Sequence, residues 1–177
     1  MPFNPGDFYK KTDMIAKLFN KRLPILVGAE AERFFIENFR LQGFQGDSGL
    51  EAWVKRKDDN DPTRQILKKS GHLRQGIKKE VTPNNIRVVV TGVATKYADT
   101  HNFGETIKIQ VTAKMKSWAW ALWYQTFDSK YRAMAMQPEG KVMTIKMPQR
   151  KFIGNSKQLD KRLQAIAERE VDKINKS

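Results

Sequence analysis

Apolar residues recur at helical spacing near both ends of the chain. Ile15, Leu18, Phe19 and Leu23 fall on one stripe of a helix predicted over residues 7–22, with Asp7 placed to cap it. Pro24 stops that helix and suits the first turn of the next. The second helix runs from about Ile25 to Gln42 and offers Leu26, Ala29, Phe34, Phe35 and Phe39 for burial, with Gly43 as its stop. Residues 1–43 are thus expected to form a helical hairpin or one kinked helix. At the other end, Leu159, Leu163, Ile166, Ala167, Val171 and Ile174 form a second stripe, and Asn155 with Gln158 makes a capping box.

Between them the period changes. Residues 43–63 are rich in Gly and Asp and predict a loop anchored by Trp53. Residues 64–76 hold a short helical turn. Ile77 and Val81, then "TPNN", then Ile86, Val88 and Val90 predict a β-hairpin. "YADTHN" sits on a short helix. "TIKIQVTA" (106–113) alternates as a strand with Ile107, Ile109 and Val111 on one face, and "KVMTIKM" (141–147) alternates again. Residues 114–136 crowd Trp118, Trp120, Trp123, Tyr124, Phe127 and Tyr131 onto one predicted helix, apolar over a wider arc than a surface helix needs. With no repeat and no clear linker, the simplest organisation is one α+β domain over residues 1–177. It would be a small antiparallel sheet with packed helices, an N-terminal helical hairpin and a C-terminal amphipathic helix.

Composition narrows the function classes. The chain has 177 residues, 40% of them hydrophobic, enough for a real core. It has no cysteine, which excludes disulfides, thiolate metal sites and cysteine catalysis and fits a reducing compartment. The N-terminal residues lack the apolar stretch of a secretory leader. No apolar run reaches the ~18 residues of a membrane span, and no membrane partner is expected.

The net charge of +14 is concentrated. Residues 63–151 carry 17 Lys and Arg against 5 Asp and Glu. Such a surface attracts polyanions, either nucleic acid or an acidic partner, or it is simply a solvated face.

Enzyme signatures are sparse. No phosphate-binding lysine loop, dinucleotide fingerprint, H-E-x-x-H or nucleophile elbow occurs. His72 and His101 stand 29 residues apart, a poor basis for zinc. Ser70, His101 and Asp99 can be drawn as a triad only on paper. The run "DDND" (58–61) fits a solvated turn better than a Mg²⁺ site. No cofactor and no metal is expected.

The basic and aromatic signal is stronger. Lys114, Lys116, Lys130 and Arg132 flank the tryptophans. Cations interleaved with aromatics can bind single strands or lie at a membrane interface. Burial in the core or at a subunit interface is the favoured alternative, because large exposed aromatic patches are uncommon on soluble monomers.

Three short pieces then carry a resemblance: "LKKSGHLRQGI" (67–77), "YADTHNFG" (97–104) and "MPQRKFIGNS" (147–156). With "AERFFIENFRLQGFQ" (31–45) and Trp53 upstream, their order resembles the phage virion morphogenesis family, the Mu-like tail completion group of tailed phages and prophages. Ser70, Gly71 and Leu73 match the first motif. Tyr97, Ala98, His101 and Gly104 match the second, Y-A-x-x-H-x-x-G. Pro148, Arg150, Phe152 and Gly154 match the third, I-P-A-R-P-F-L-G, from which Met147, Gln149, Lys151 and Ile153 depart.

The resemblance covers most of the chain from Ala31 onward. Residues 105–147 are longer than in many members and are expected to be an insertion carrying the aromatic helix. The resemblance implies a structural protein rather than an enzyme, made in the bacterial cytoplasm and carried in the virion. It would act at tail completion or head–tail joining, as one copy of a homo-oligomeric ring on other tail or connector proteins, with non-specific DNA contact in the channel. His101 is expected to be structural, on one helical face with Tyr97, and Gly104 to end that turn at positive φ.

Overall fold

Residues 5–41 form one uninterrupted helical run. In the computed structural model, which describes residues 5–56, 63–82 and 85–176, α1 (Pro5–Lys17) passes through a π turn (Leu18–Arg22) into α2 (Leu23–Leu41). Arg22 and Leu23 keep right-handed helical dihedrals, so the chain adopts the continuous helix and not the hairpin. The reason lies beside Pro24. A proline ring has no N–H to donate and crowds the carbonyl one turn back. The turn before it is widened, with the Leu23 N–H donating to Leu18 O, and the helix continues instead of stopping. The expected stripe on α2 is confirmed at Phe34, Phe35 and Phe39, which are buried, whereas Phe19 on the π turn is exposed.

The helix stops at Gln42 rather than Gly43. Gln42 takes a left-handed conformation (φ 56°). Its amide donates to Phe39 O at 2.6 Å and accepts from Ile66 N at 2.6 Å, which ties down the strained residue. Gly43 instead permits a close approach, since a Cβ there would stand 2.6 Å from Glu51 O. It opens a short ribbon, β1 (Gly43–Gln45) with β2 (Leu50–Ala52), inside the segment expected to be loop. Three-residue strands are too short to show alternation. Trp53 is buried, as its anchoring role required. The run "DDND" lies outside the described residues, as do Pro83 and Asn84 of the predicted turn.

Next come α3 (His72–Gly76), then β3 (Ile77–Thr82) paired antiparallel with β4 (Asn85–Val90) from Ile77↔Val90 to Thr82↔Asn85. A 3₁₀ turn (Gly92–Ala94) leads into α4 (Thr95–Phe103). The C-terminal helix, here α7 (Lys157–Asn175), packs on α2 and α1. Its cap is Ser156 and not Asn155: the Ser156 hydroxyl accepts from Gln158 N and Leu159 N.

These elements make one compact unit, residues 1–103 with 149–177. Its core joins Phe34, Phe39, Phe44, Trp53, Ile77 and Phe152 with smaller residues. The rings of Phe39 and Trp53 stand 5.3 Å apart, edge to face, and those of Phe39 and Phe152 5.5 Å apart.

The second unit is Gly104–Pro148. β5 (Thr106–Gln110) pairs antiparallel with β6 (Val142–Lys146), and two helices, α5 (Ala113–Thr126) and α6 (Ser129–Ala135), lie between them in sequence. The expected single aromatic helix is therefore broken. Phe127 turns left-handed (φ 53°) and Asp128 caps the new start by accepting from Lys130 N. The fold is α+β as expected, but among the described residues the strands pair as three separate two-stranded ribbons and not as one sheet.

Truncating Phe34, fully buried, to Ala should cost about 3–5 kcal/mol in urea unfolding. Phe19→Ala, at an exposed position, should change stability by about 0.5 kcal/mol or less. Equal losses would show that the helix packs on its other face.

Candidate functional site

Residues 149–155 cross the first unit as an irregular strap that, among the described residues, pairs with no strand. Phe152 is buried to 1% exposure, so the strap's backbone polar groups need partners that a ribbon would otherwise give. Side chains from α4, α2 and the segment after β2 supply them. Asn102 of α4 accepts from both Phe152 N (2.9 Å) and Ile153 N (3.0 Å) on Oδ1. Asn38 of α2 donates to Phe152 O at 3.1 Å and accepts from Gln45 N at 3.2 Å. Trp53 donates its indole N–H to Lys151 O at 2.6 Å. Ser156, after the strap, donates to Gln45 O at 2.6 Å while it caps α7.

None of Asn38, Asn102 and Ser156 was singled out by the sequence motifs. A faint signal existed: Asn38 and Asn102 sit inside helices, where asparagine is a weak former and usually has another bond to make.

The motif residues gather around this strap. Arg150, 6% exposed, donates from Nε to Val54 O at 2.9 Å, and its backbone N–H donates to His101 O at 2.7 Å. Burial, then the nearby Arg56 guanidinium, depress its pKa. Tyr97 and His101 share a face of α4, their rings edge to face at 5.9 Å. Ala98, Leu73 and Phe152 lie in the core. Ser70 is exposed, Gly71 starts α3, and Gly154 lines a groove between β4, α4 and the strap. Gly104, at φ 72°, and Pro148 are the two end residues of the second unit.

His101 Nδ1 is buried with no hydrogen-bond partner among the described residues, so Asp99 does not orient it as a triad would. Burial first, and then the Arg150 charge, hold its imidazole below the ordinary value. The geometry is a packed corner. Among the described residues no group of three His, Asp or Glu side chains could hold a metal ion.

The second unit presents the aromatic residues. Trp120, Trp123, Tyr124 and Phe127 form a chain of ring contacts, with Trp123 and Tyr124 at 4.8 Å and Trp123 and Phe127 at 6.1 Å. Trp118 meets Tyr131 edge to face at 5.9 Å. Tyr124 is 65% exposed and Phe127 76%, with Trp118 and Met136 also exposed. Small residues, Ala119 and Ala135, fill the space between helices instead.

The flanking cations are partly engaged. Lys130 lies over Tyr131 and pairs with Asp128 at 2.8 Å, and Arg132 lies over Trp123. Lys114 is exposed and Lys116 half-buried.

The model of the phage virion morphogenesis family matches residues 38–172. The match begins at Asn38 and takes in Trp53, Asn102 and the strap. No curated protein and no solved structure matches the chain.

Asn102→Ala leaves one buried and one part-buried N–H group unpaired and should cost about 2–4 kcal/mol, read by urea unfolding. A loss under about 0.5 kcal/mol would mean water replaces the amide. His101 predicts a pH dependence. Its folded pKa lies below the unfolded value, so the unfolded chain binds the proton more readily. Stability should be full above about pH 6.5 and fall as the pH drops below it, before the carboxylates titrate. His101→Gln should flatten the unfolding midpoint across that window, and an unchanged slope would contradict this.

Proposed function

The chain belongs to the phage virion morphogenesis family, and from that membership we propose that it acts at tail completion or head–tail joining. The family gives a phage structural or assembly role, a virion location and contact with other virion proteins. It points to structure rather than catalysis.

The finer reading has several copies forming a ring on the end of the tail or connector, assembled in the bacterial cytoplasm. The observation that carries it is the aromatic face of the 104–148 unit. Tyr124 and Phe127 are exposed beside the Trp123 ring, Trp118 and Met136 are exposed on the same unit, and exposed aromatics of that kind on a soluble chain mark a contact surface. Residues 105–147 are read as an insertion that brings this surface to the shared fold. Lys114 and Lys116 would face DNA in the channel, a task that needs charge without base reading.

The charge excess of residues 63–151 favours a second reading, a non-specific nucleic-acid binder. It predicts submicromolar DNA binding with a steep salt slope. The cations spent on Asp128 and on the aromatic faces weaken it.

Trp120→Ala with Trp123→Ala should leave particles untailed in electron micrographs. Both rings are half-buried, so Tyr124→Ser with Phe127→Asn provides a variant whose fold is kept. It should lower tailed-particle yield about tenfold with an unchanged thermal midpoint, as expected when aromatic contacts worth 1–2 kcal/mol are lost. Normal yield from both variants would sink the assignment of this face.

A further inference from the structure

The π turn builds a hollow that the assembly reading does not use. Between the π-turn stretch and the last turns of α7 lies a cavity of about 460 Å³. Met14, Leu18 and Ile174 line it with apolar surface. Lys17, Lys21, Arg22 and Lys173 surround that surface with cations.

The one carboxylate within is already taken. Glu170, 4% exposed, pairs with Lys173 at 2.5 Å, Arg22 at 3.1 Å and Arg169 at 3.8 Å. The Lys173 hydrogen bond, then the charges of Arg22, Lys173 and Arg169, hold its carboxyl below the usual range against the effect of burial. Lys17 pairs with Asp13 at 2.6 Å, while Lys21 has no carboxylate partner among the described residues. The hollow therefore joins an apolar floor to a rim with an excess of positive charge.

We propose that this hollow docks an acidic segment of a partner protein, with an aliphatic side chain on the Met14–Leu18–Ile174 floor and carboxylates against Lys17 and Lys21. Charge selects the occupant. A second copy carries a net +14 and would bring cations to cations, whereas an acidic amphipathic segment satisfies floor and rim together. The location supports a role particular to this chain. Met14 to Arg22, and Lys173 with Ile174, lie outside the matched residues 38–172. π turns within helices are also frequent at binding sites. That the partner is a virion component rests on the assembly reading. The docking chemistry does not.

The test titrates the full-length protein with a short synthetic helix carrying Leu at helical spacing and Glu elsewhere, against the same peptide with Gln for Glu. Methyl NMR reports the site. The acidic peptide should shift Met14, Leu18 and Ile174 saturably, and Lys17→Glu with Lys21→Glu should weaken it about tenfold. Both lysines are exposed, so the thermal midpoint should hold. Equal binding of the Gln peptide, shifts confined to residues 104–148, or no shift at all would overturn the proposal. The same double variant is then scored for tailed particles. Normal tailing with lost peptide binding removes the virion-partner assignment. Retained peptide binding, with normal tailing in the aromatic variants, leaves the docking site standing and the assembly reading fallen.

Discussion

A buried extended segment must find hydrogen bonds, and among the described residues no strand pairs with this one to give them. The strap at residues 149–155 runs through the core of the first unit with Phe152 fully enclosed. Its amides and carbonyls would each cost free energy if left unpaired. Asn102, Asn38 and Trp53 take the place of a neighbouring strand, and Arg150 fastens the strap to Val54 and His101. Because those side chains come from α4, α2 and the segment after β2, the strap links elements of the first unit that share no continuous sheet. Its fixed path delivers Ser156 to the start of α7, where one hydroxyl both caps the helix and holds Gln45.

Much of this was legible in the sequence, and the failures have physical causes. Periodicity located β3, β4, β5, β6 and α7 from the spacing of their apolar residues, although no residue of β4, β5 or β6 is fully buried. It misjudged Pro24, because local rules treat proline as a stop and do not foresee a π turn that accommodates it. It joined α5 to α6, because Phe127 is an improbable left-handed residue that no pattern flags. The cap moved from Asn155 to Ser156, where a long-range bond to Gln45 decides between two competent neighbours. The motif residues were visible, but their partners Asn38 and Asn102 were not singled out, since a clamp such as that of Asn38, made at a separation of 114 residues, leaves only a faint local trace.

The two units divide the physics. The first holds the polar clamp, the aromatic core and the corner at His101, all features that fix a shape. The second buries Val111, Ala119 and Ala135, keeps Trp120 and Trp123 half-buried, and leaves Trp118, Tyr124 and Phe127 exposed. Exposed aromatic side chains of this kind are uncommon on soluble monomers, which is why the proposed contact surface is placed there. Two of the second unit's cations, Lys130 and Arg132, lie over its own rings.

The central claim is that this chain is a working part of a phage particle. Peptide mass spectrometry on gradient-purified particles, released by inducing the host that carries the sequence, tests it most directly. The account predicts peptides of this protein at several copies per particle, together with those of tail and connector proteins. Intact tailed particles that contain none of it would contradict the account.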